Sequence, residues 1–168
     1  GSSWRKYPLP NLTSVRCLKI DKSGKILVGG YNEFGYFKPD NKGKLEYTSL
    51  SKKVDKNKIK IIDFIWKIHS LNNLTVFQSF ARAYILKNGK LSILQAPKRF
   101  QFSFVVNNKL YFQDVEKGIL EYRNEKLYAL PNTTALNNTE IWGMYSLTKD
   151  KTLIITLEKG LFIYENNT

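Results

Sequence analysis

The chain has 168 residues, 42% of them hydrophobic and 14% aromatic, which is enough apolar material for the core of a compact domain. Its net charge of +13 comes mostly from lysines scattered through turn-like stretches, so a solvated surface explains it better than a nucleic-acid site. A single cysteine, Cys17, excludes an internal disulfide and a cysteine-rich metal site, and no run approaches the roughly 20 apolar residues of a membrane span. We therefore expect no metal, no other cofactor, no nucleic-acid partner and no membrane contact.

Short apolar runs separated by turn residues predict an all-β chain, because no window of a dozen residues holds a helical stripe. Four of these runs are apolar on both faces, as in strands packed between neighbouring sheets, and they begin at Ile26, Leu74, Leu110 and Leu153. Their spacings of 48, 36 and 43 residues average near the roughly 40 to 45 residues of a four-stranded propeller blade. Asn88-Gly89 gives the strongest hairpin signal, because both residues tolerate the positive φ of a tight turn.

The repeat predicts a β-propeller with about four blades of four-stranded antiparallel sheet, forming part of a larger propeller. The blades are expected at residues 11–50, 51–97, 98–136 and 137–168. The fourth unit lacks a fourth strand. Residues 4–10 are expected to be the outermost strand of an upstream blade, or else to complete the fourth blade and close a small ring. An arc with bare ends would invite self-association or packing against neighbouring blades.

Two segments resemble a known family of repeats. Residues 141–164 read Ile-Trp-x-Met, then Leu-Ile-Ile-Thr, then Lys-Gly-Leu-Phe-Ile-Tyr, which resembles the propeller repeat of two-component regulators. Residues 28–37, Val-Gly-Gly-Tyr-Asn-Glu-Phe-Gly-Tyr-Phe, are similar to the N-terminal sensor propeller of hybrid histidine kinases and related transcriptional regulators of Bacteroidetes. The resemblance implies a periplasmic sensor propeller linked to carbohydrate utilisation. An oligosaccharide is then the commonest class of ligand, and a histidine kinase would lie elsewhere in the full-length protein.

The loops between second and third strands are the candidate ligand-binding positions, because in propellers they gather on one face near the central channel. Aromatic planes together with amides, carboxylates and arginine suit a sugar, which offers an apolar face and many hydroxyl groups. The candidate ligand-binding residues are Tyr31, Asn32, Glu33, Phe80, Arg82, Asp114 and Glu158. Trp66 and Trp142 recur at equivalent places and are expected to pack between blades.

No catalytic residue is predicted. His69 is the only histidine, which excludes multi-histidine metal sites, and it is expected to end a first strand as a structural residue. No motif pairs the carboxylates for hydrolysis. The stretch 99–102 mixes charge and aromatics as single-strand binders do, but the edge strand of a blade explains it equally well. The leading hypothesis is a ligand-binding sensor domain without enzyme activity, and the alternative is a scaffold for dimerisation and signal transmission.

Overall fold

The computed structural model describes residues 2–165, which form fifteen strands in four antiparallel sheets. Blade 1 contains β1 (Cys17–Ile20), β2 (Ile26–Gly29), β3 (Phe34–Pro39) and β4 (Leu45–Ser49). Blade 2 contains β5 (Lys67–Leu71), β6 (Leu74–Gln78), β7 (Arg82–Lys87) and β8 (Lys90–Gln95). Blade 3 contains β9 (Phe100–Val106), β10 (Lys109–Asp114), β11 (Gly118–Arg123) and β12 (Lys126–Ala129). Blade 4 contains β13 (Ile141–Ser146), β14 (Lys151–Thr156) and β15 (Leu161–Glu165).

Each sheet is a meander in which every strand pairs with the next along the chain, so the first strand always lies at one edge. The first strands also contact one another across blades, β1 with β5, β5 with β9 and β9 with β13. They therefore line a common axis, with later strands further out, which is the architecture of a β-propeller. The fold class predicted from the sequence is confirmed. Within residues 2–165 no contact of similar extent joins β13 to β1, so the four blades form an arc.

Two-residue turns set the hairpin registers. Asn88 and Gly89 have φ values of 50° and 78° and connect β7 directly to β8, as the sequence predicts. Asn107 and Asn108, with φ values of 48° and 61°, connect β9 to β10 in the same way. Asparagine adopts the left-handed region more readily than other side chains, which explains why an asparagine-rich chain forms these tight hairpins.

The core lies between blades rather than inside any one of them. Phe34 of blade 1 packs at ring-centroid distances of 4.7 Å from Phe77 and 4.9 Å from Tyr84 of blade 2. Ile141 and Ile154 of blade 4 are fully buried in a cluster with residues of blade 3. Burying each such side chain contributes about 1.5 to 3 kcal/mol. This arrangement explains the runs that are apolar on both faces, because each inner blade is covered on both sides.

Residues 4–10, expected as an outermost strand, form no strand in the structure. Pro8 and Pro10 cannot donate backbone hydrogen bonds to a ladder, and Leu9, only 1% exposed, packs instead against Val28 and Phe37 on the outward face of blade 1. The segment therefore covers part of blade 1. Its assignment to an upstream or closing blade stays a prediction.

The two end blades expose apolar side chains on the faces that point away from their neighbours. On blade 4, cross-strand pairing brings Tyr145, Leu153 and Ile163 into one row, and Leu161 lies beside them. Leu161 is 67% exposed and Tyr145 and Ile163 are each 57% exposed. We call this surface the blade-4 outer face. The corresponding surface of blade 1 is only partly covered by residues 4–10, because Leu18 and Ile20 of β1 remain exposed.

Candidate functional site

The first strands of the four blades all begin on the same face of the arc. We call the four residues at these strand starts the inner rim; they are Arg16, Trp66, Gln101 and Trp142. Arg16 and Trp66 each donate a backbone N–H to the second strand of their blade at 2.8 Å. Gln101 lies where the pairing of β9 with β10 shifts register by one residue, and Trp142 lies at the same kind of shift between β13 and β14. Trp66 and Trp142 both lie at the start of a first strand, but Trp66 precedes the first ladder pair of its blade and Trp142 follows it, so the predicted equivalence holds for the strand start and not for the register. The loops between second and third strands lie beside this rim.

A run of three aromatic rings occupies the rim at blade 2. The centroid of Trp66 lies 5.6 Å from that of Phe64 and 5.2 Å from that of Phe80, onto which Trp66 is stacked. Two arginines lie over this run, Arg16 at 4.9 Å from the Phe64 centroid and Arg99 at 4.5 Å from the Phe80 centroid. We call these five residues the arginine–aromatic platform. Cation–π contacts favour these positions of both guanidinium groups.

The platform has unused donors. Arg16 and Arg99 are exposed, and no carboxylate in residues 2–165 lies within 4.0 Å of either guanidinium group. Arg99 donates one hydrogen bond, from Nη2 to Oε1 of Gln101 at 3.2 Å. The indole Nε1 of Trp66 is buried and has no hydrogen-bond partner among the described residues. A buried donor without an acceptor is rare in folded proteins, because its desolvation is not compensated.

A cavity of about 520 Å³ opens beside the rim between blades 3 and 4. Its walls combine carboxylates, side-chain amides and a few apolar side chains, as sites for polar ligands do. The polar lining residues are Gln101, Gln113, Asp114, Glu116, Asn137, Asn138, Thr139, Glu140 and Glu158. Two predicted site residues, Asp114 and Glu158, are thus brought together in one cavity.

The wall of the cavity is held by hydrogen bonds that cross from blade 3 to blade 4. Gln113 donates from Nε2 to the carbonyl of Thr139 at 2.6 Å and accepts at Oε1 from the backbone N–H of Ile141 at 2.9 Å. Gln101 donates from Nε2 to Oε1 of Glu140 at 2.7 Å. Since Gln101 also accepts from Arg99, this residue joins the cavity to the arginine–aromatic platform. The platform and the cavity form one continuous surface.

Three of the predicted site residues have their polar groups bonded within the chain. Glu33 is 7% exposed, and its Oε1 accepts hydrogen bonds from the hydroxyls of Tyr47, Ser49 and Ser51. Burial of Tyr47 and the negative charge of Glu33 together raise the pKa of that phenol. Asn32 has a φ of 54° and accepts at Oδ1 from the backbone N–H of Ile62. Both residues hold the loop that precedes β3.

Asp114 is 1% exposed and is bonded entirely to backbone groups. Its Oδ2 accepts from the N–H groups of Lys98 and Arg99, and its Oδ1 accepts from those of Glu116 and Lys117. The carboxylate therefore fixes the loops at the edge of the cavity, including the backbone that presents Arg99.

The other four predicted residues present groups that are not used up in this way. Tyr31 is 40% exposed, and its ring lies 4.8 Å from that of Phe64, next to the platform. Phe80 belongs to the platform, Arg82 begins β7 beside it, and the exposed carboxylate of Glu158 lies at the cavity. The binding roles of all seven residues remain predictions.

The two rim tryptophans differ from each other. Trp66 is half-buried and packs against Phe64 and Phe80 of its own unit, not between blades as expected. The expectation is also wrong for Trp142, which is 60% exposed and donates from Nε1 to Oε2 of Glu140 at 3.4 Å. Its side chain lies at the register shift of β13, where the local bulge turns it out of the blade interface.

His69 lies in the middle of β5, not at a strand end as the sequence indicated, and its Nε2 is 2.9 Å from Oγ of Ser103. The Ser103 hydroxyl donates to Oε1 of Gln78, so its oxygen can only accept from His69 Nε2–H. Burial, aided by the charges of Lys19 and Lys67, lowers the pKa of His69 to about 4. With Ser103 only 2% exposed, this histidine–serine pair is a contact between blades and not a nucleophile with its base.

The residues that sequence reasoning missed are those brought together by the rim. Arg16, Gln101 and Glu140 belong to different blades and have no shared motif. Their only common signal is position, because Arg16 and Gln101 each stand where a first strand begins and Glu140 directly precedes one. The stretch 99–102, which mixes charged and aromatic residues, lies at the start of the innermost strand of blade 3.

Comparison with solved structures identifies the fold. The chain is similar to virginiamycin B lyase from Staphylococcus aureus, with a TM-score of 0.57 and 18% identity over 96% of this chain and 59% of that chain. It is similar to the extracellular domain of a protein assigned as a hybrid two-component system of B. thetaiotaomicron, with a TM-score of 0.64 and 17% identity over 95% of this chain and 22% of that chain. The WD40 propeller domain of Doa1 gives a TM-score of 0.51 and 14% identity over 91% of this chain and 65% of that domain.

These similarities establish a β-propeller fold, and the chain spans less than two thirds of each of these structures. No protein-family model and no curated protein matches the chain. Among residues 2–165 there is no helix with the length and hydropathy of a membrane span.

Proposed function

We propose that this chain is the ligand-binding part of a sensor protein and that it binds an oligosaccharide on the loop face of its propeller, without turnover. The observation that carries the proposal is the cavity of about 520 Å³ between blades 3 and 4, together with the exposed indole of Trp142 beside it. Carboxylate and amide groups accept and donate hydrogen bonds to sugar hydroxyls, and an indole offers a flat apolar surface to the C–H face of a sugar ring.

The cavity offers a fixed and a free group side by side. Glu140 is oriented by hydrogen bonds from Gln101 and Trp142, whereas Glu158 has no hydrogen-bond partner among the described residues. A preorganised acceptor costs little ordering entropy when it binds a ligand hydroxyl. The histidine–serine pair between blades 2 and 3 is closed to substrate, which favours binding over catalysis.

A role in signalling, with the propeller exposed outside the cytoplasm, is supported by two observations. The fold is shared with the extracellular domain of a two-component protein. Residues 28–37 also resemble the sensor propellers of that class. Glu33 and Phe34 of this segment are buried, so the resemblance concerns the structure of the blade. We therefore place the chain in the periplasmic region of a two-component regulator that responds to carbohydrate.

The test is a titration of the intact chain with neutral di- to hexasaccharides, read by thermal shift and by calorimetry. We expect at least one of them to bind, and we expect the Trp142→Ala/Glu158→Gln double variant to lose about tenfold or more in affinity. Trp4→Ala/Glu125→Gln is the matched control, because Trp4 is 97% exposed and Glu125 lies on the β11–β12 turn. The absence of binding across the series, or an equal loss in the control, would contradict the proposal.

A second candidate function, a scaffold for dimerisation and signal transmission, is supported by the blade-4 outer face. Exposed apolar patches of this kind mark interaction surfaces. We propose that its occupant is another propeller blade, because every inner blade of this chain buries the corresponding face against its neighbour. The match covers 59% of the lyase chain, which is the fraction that four blades would occupy in a ring of about seven. A ring of that size is within the usual range for propellers.

A further inference from the structure

The two exposed arginines of the arginine–aromatic platform indicate a ligand that carries negative charge. We propose that the ligand is an acidic oligosaccharide whose charged sugar, a uronate or a sulfated residue, lies over Arg16 and Arg99, while a neutral sugar of the same molecule enters the cavity. This inference rests on the proposed function and adds to it the chemical class of the ligand and the direction in which it binds.

The two guanidinium groups are available to an anion. Each lies over an aromatic ring, and each is exposed with no carboxylate within 4.0 Å in residues 2–165. A planar guanidinium group presents paired N–H donors that match the two oxygens of a carboxylate or sulfate. Because the cation–π contacts already favour these positions of both side chains, binding an anion here costs little additional rotamer entropy.

Another arginine of the chain also lies over an aromatic ring. Arg123 lies 4.3 Å from the Tyr128 centroid, so cation–π stacking by itself is not special to the rim. At the rim, however, two arginines share one run of three rings, and the buried Nε1 of Trp66 lies in that run without an acceptor. The outer strands of blade 3, where Arg123 lies, have none of these additional features.

Charge is separated along the site. The platform carries two cationic side chains, whereas Glu140 and Glu158 present carboxylates to the cavity. The other two carboxylates of its lining are already compensated, since Asp114 accepts four backbone N–H groups and Glu116 pairs with Lys98 at 3.1 Å. An anionic group is attracted to the platform and repelled from the cavity. Gln101 stands at the boundary, hydrogen-bonded to Arg99 at 3.2 Å and to Glu140 at 2.7 Å, so the change of sign occurs within one side chain.

This polarity restricts the ligand more than a count of charges does. A uniform polyanion, such as a nucleic acid or a fully charged polyuronate, would place negative charge in the acidic cavity. A neutral oligosaccharide would leave the guanidinium groups unused. An oligosaccharide with one charged end satisfies both halves of the site and binds in a single direction.

The test uses the intact chain and matched trisaccharides that are neutral, carry one terminal uronate, or carry one terminal sulfate, with a fully charged trigalacturonate as a fourth probe. Affinities are measured by calorimetry at low and high salt. We expect a singly charged trisaccharide to bind about tenfold more tightly than its neutral parent, with the advantage falling at high salt. The uronate and sulfate probes show which anion the platform prefers, and trigalacturonate is expected to bind more weakly than the better of them.

The decisive variants are Arg16→Gln/Arg99→Gln and the control Arg123→Gln. The double variant should lose the advantage of the charged probe, so that it binds charged and neutral probes equally tightly, and the control should keep the wild-type ratio of the two affinities. Equal affinity for neutral and charged probes in the wild type would overturn this inference alone. If the wild type binds none of the saccharide probes, the proposed function is overturned as well. Tightest binding of trigalacturonate would overturn the direction of binding.

Discussion

At the scale of single residues, the same chemistry serves structure at one position and is free at another. Glu33 and Glu158 both follow a second strand and are both carboxylates that could contact a ligand. Glu33 is buried under three hydroxyl donors, whereas Glu158 is exposed at the cavity. The difference arises from the fourth strand of the blade. In blade 1 that strand is β4, whose Tyr47 and Ser49 supply two of the donors to Glu33, whereas blade 4 has no fourth strand among the described residues.

Replacement of Glu33 by alanine should therefore destabilise the protein. Three buried or half-buried hydroxyls would lose a charged acceptor, and we expect a decrease of about 3 kcal/mol in the free energy of unfolding, measured by urea denaturation. Glu33→Gln, which keeps an oxygen at the same place, should cost about 1 kcal/mol. Glu46→Ala on the exposed side of β4 is the control, and a similar loss there would argue against the hydroxyl network.

The histidine between blades 2 and 3 gives a prediction about pH. His69 has a pKa of about 4 in the native state and an ordinary value of 6.5, so the unfolded chain binds a proton at a higher pH than the native chain does. Stability is therefore full above pH 6.5 and falls as the pH decreases towards 4, by about 2 kcal/mol at pH 5. Urea titrations at pH 8 and pH 5 measure this loss.

His69→Gln supplies the comparison for that measurement, because glutamine does not titrate and can still donate to Ser103. The variant should lose less stability than the wild type between pH 8 and pH 5. If both proteins lose the same amount, the carboxylates and not His69 determine the acid sensitivity.

At the scale of strands and sheets, close approach of neighbouring chains decides which small residues are required. Gly35 lies in β3 opposite Ser49 of β4, and a Cβ at this position would clash with the backbone carbonyl of Thr48 and with the ring of Tyr47. Backbone atoms of a paired strand cannot move aside without breaking the ladder. The glycine is therefore needed for space within blade 1.

Gly35→Ala should lower the free energy of unfolding by about 3 kcal/mol. Gly43→Ala is the matched control, because this residue has a φ of 75° in the β3–β4 turn and nothing within 4 Å of its Cβ position. Its replacement should cost only the backbone strain of about 1 kcal/mol. Equal losses in the two variants, measured by urea denaturation, would show that packing against β4 is not the limiting factor.

At the scale of the whole molecule, the arc leaves a blade interface without a partner at each end. The blade-4 outer face is apolar like the covered faces, but Tyr145, Leu161 and Ile163 on it are more than half exposed. Exposed apolar area of this kind contributes about 25 cal/mol per Å² when it is covered. The isolated chain should therefore associate with itself.

Light scattering during size-exclusion chromatography tests this expectation across a range of protein concentrations. The wild-type chain should elute as a dimer or larger species at high concentration, and Leu161→Lys/Ile163→Lys should remain a monomer with an unchanged β-sheet spectrum. Ile93→Lys is the control, since Ile93 is 41% exposed on the outermost strand of blade 2. A monomeric wild type at every concentration would exclude self-association through this surface.

Much of the fold could be predicted from the sequence because a blade is a local structure. Strands such as Ile141–Ser146 pair with the next strand along the chain, and turns such as Asn88-Gly89 encode their own geometry. The site was less accessible to such reasoning. Asp114 and Glu158 could be assigned to one loop face, but the internal bonding of Asp114 depends on backbone groups of two other segments.

Period, turn chemistry and the two-sided apolar runs determined by themselves that this protein is a chain of antiparallel blades with a hydrophobic core between them. Only the tertiary structure decided which polar groups are free, because hydrogen bonds from distant parts of the chain occupy Glu33 and one oxygen of Asp114, whereas Glu158 has no partner among residues 2–165. It also decided that Arg16, Trp66, Gln101 and Trp142 stand on one rim. These residues are brought together by the stacking of blades around an axis, and their separation along the chain does not indicate how close they lie in space.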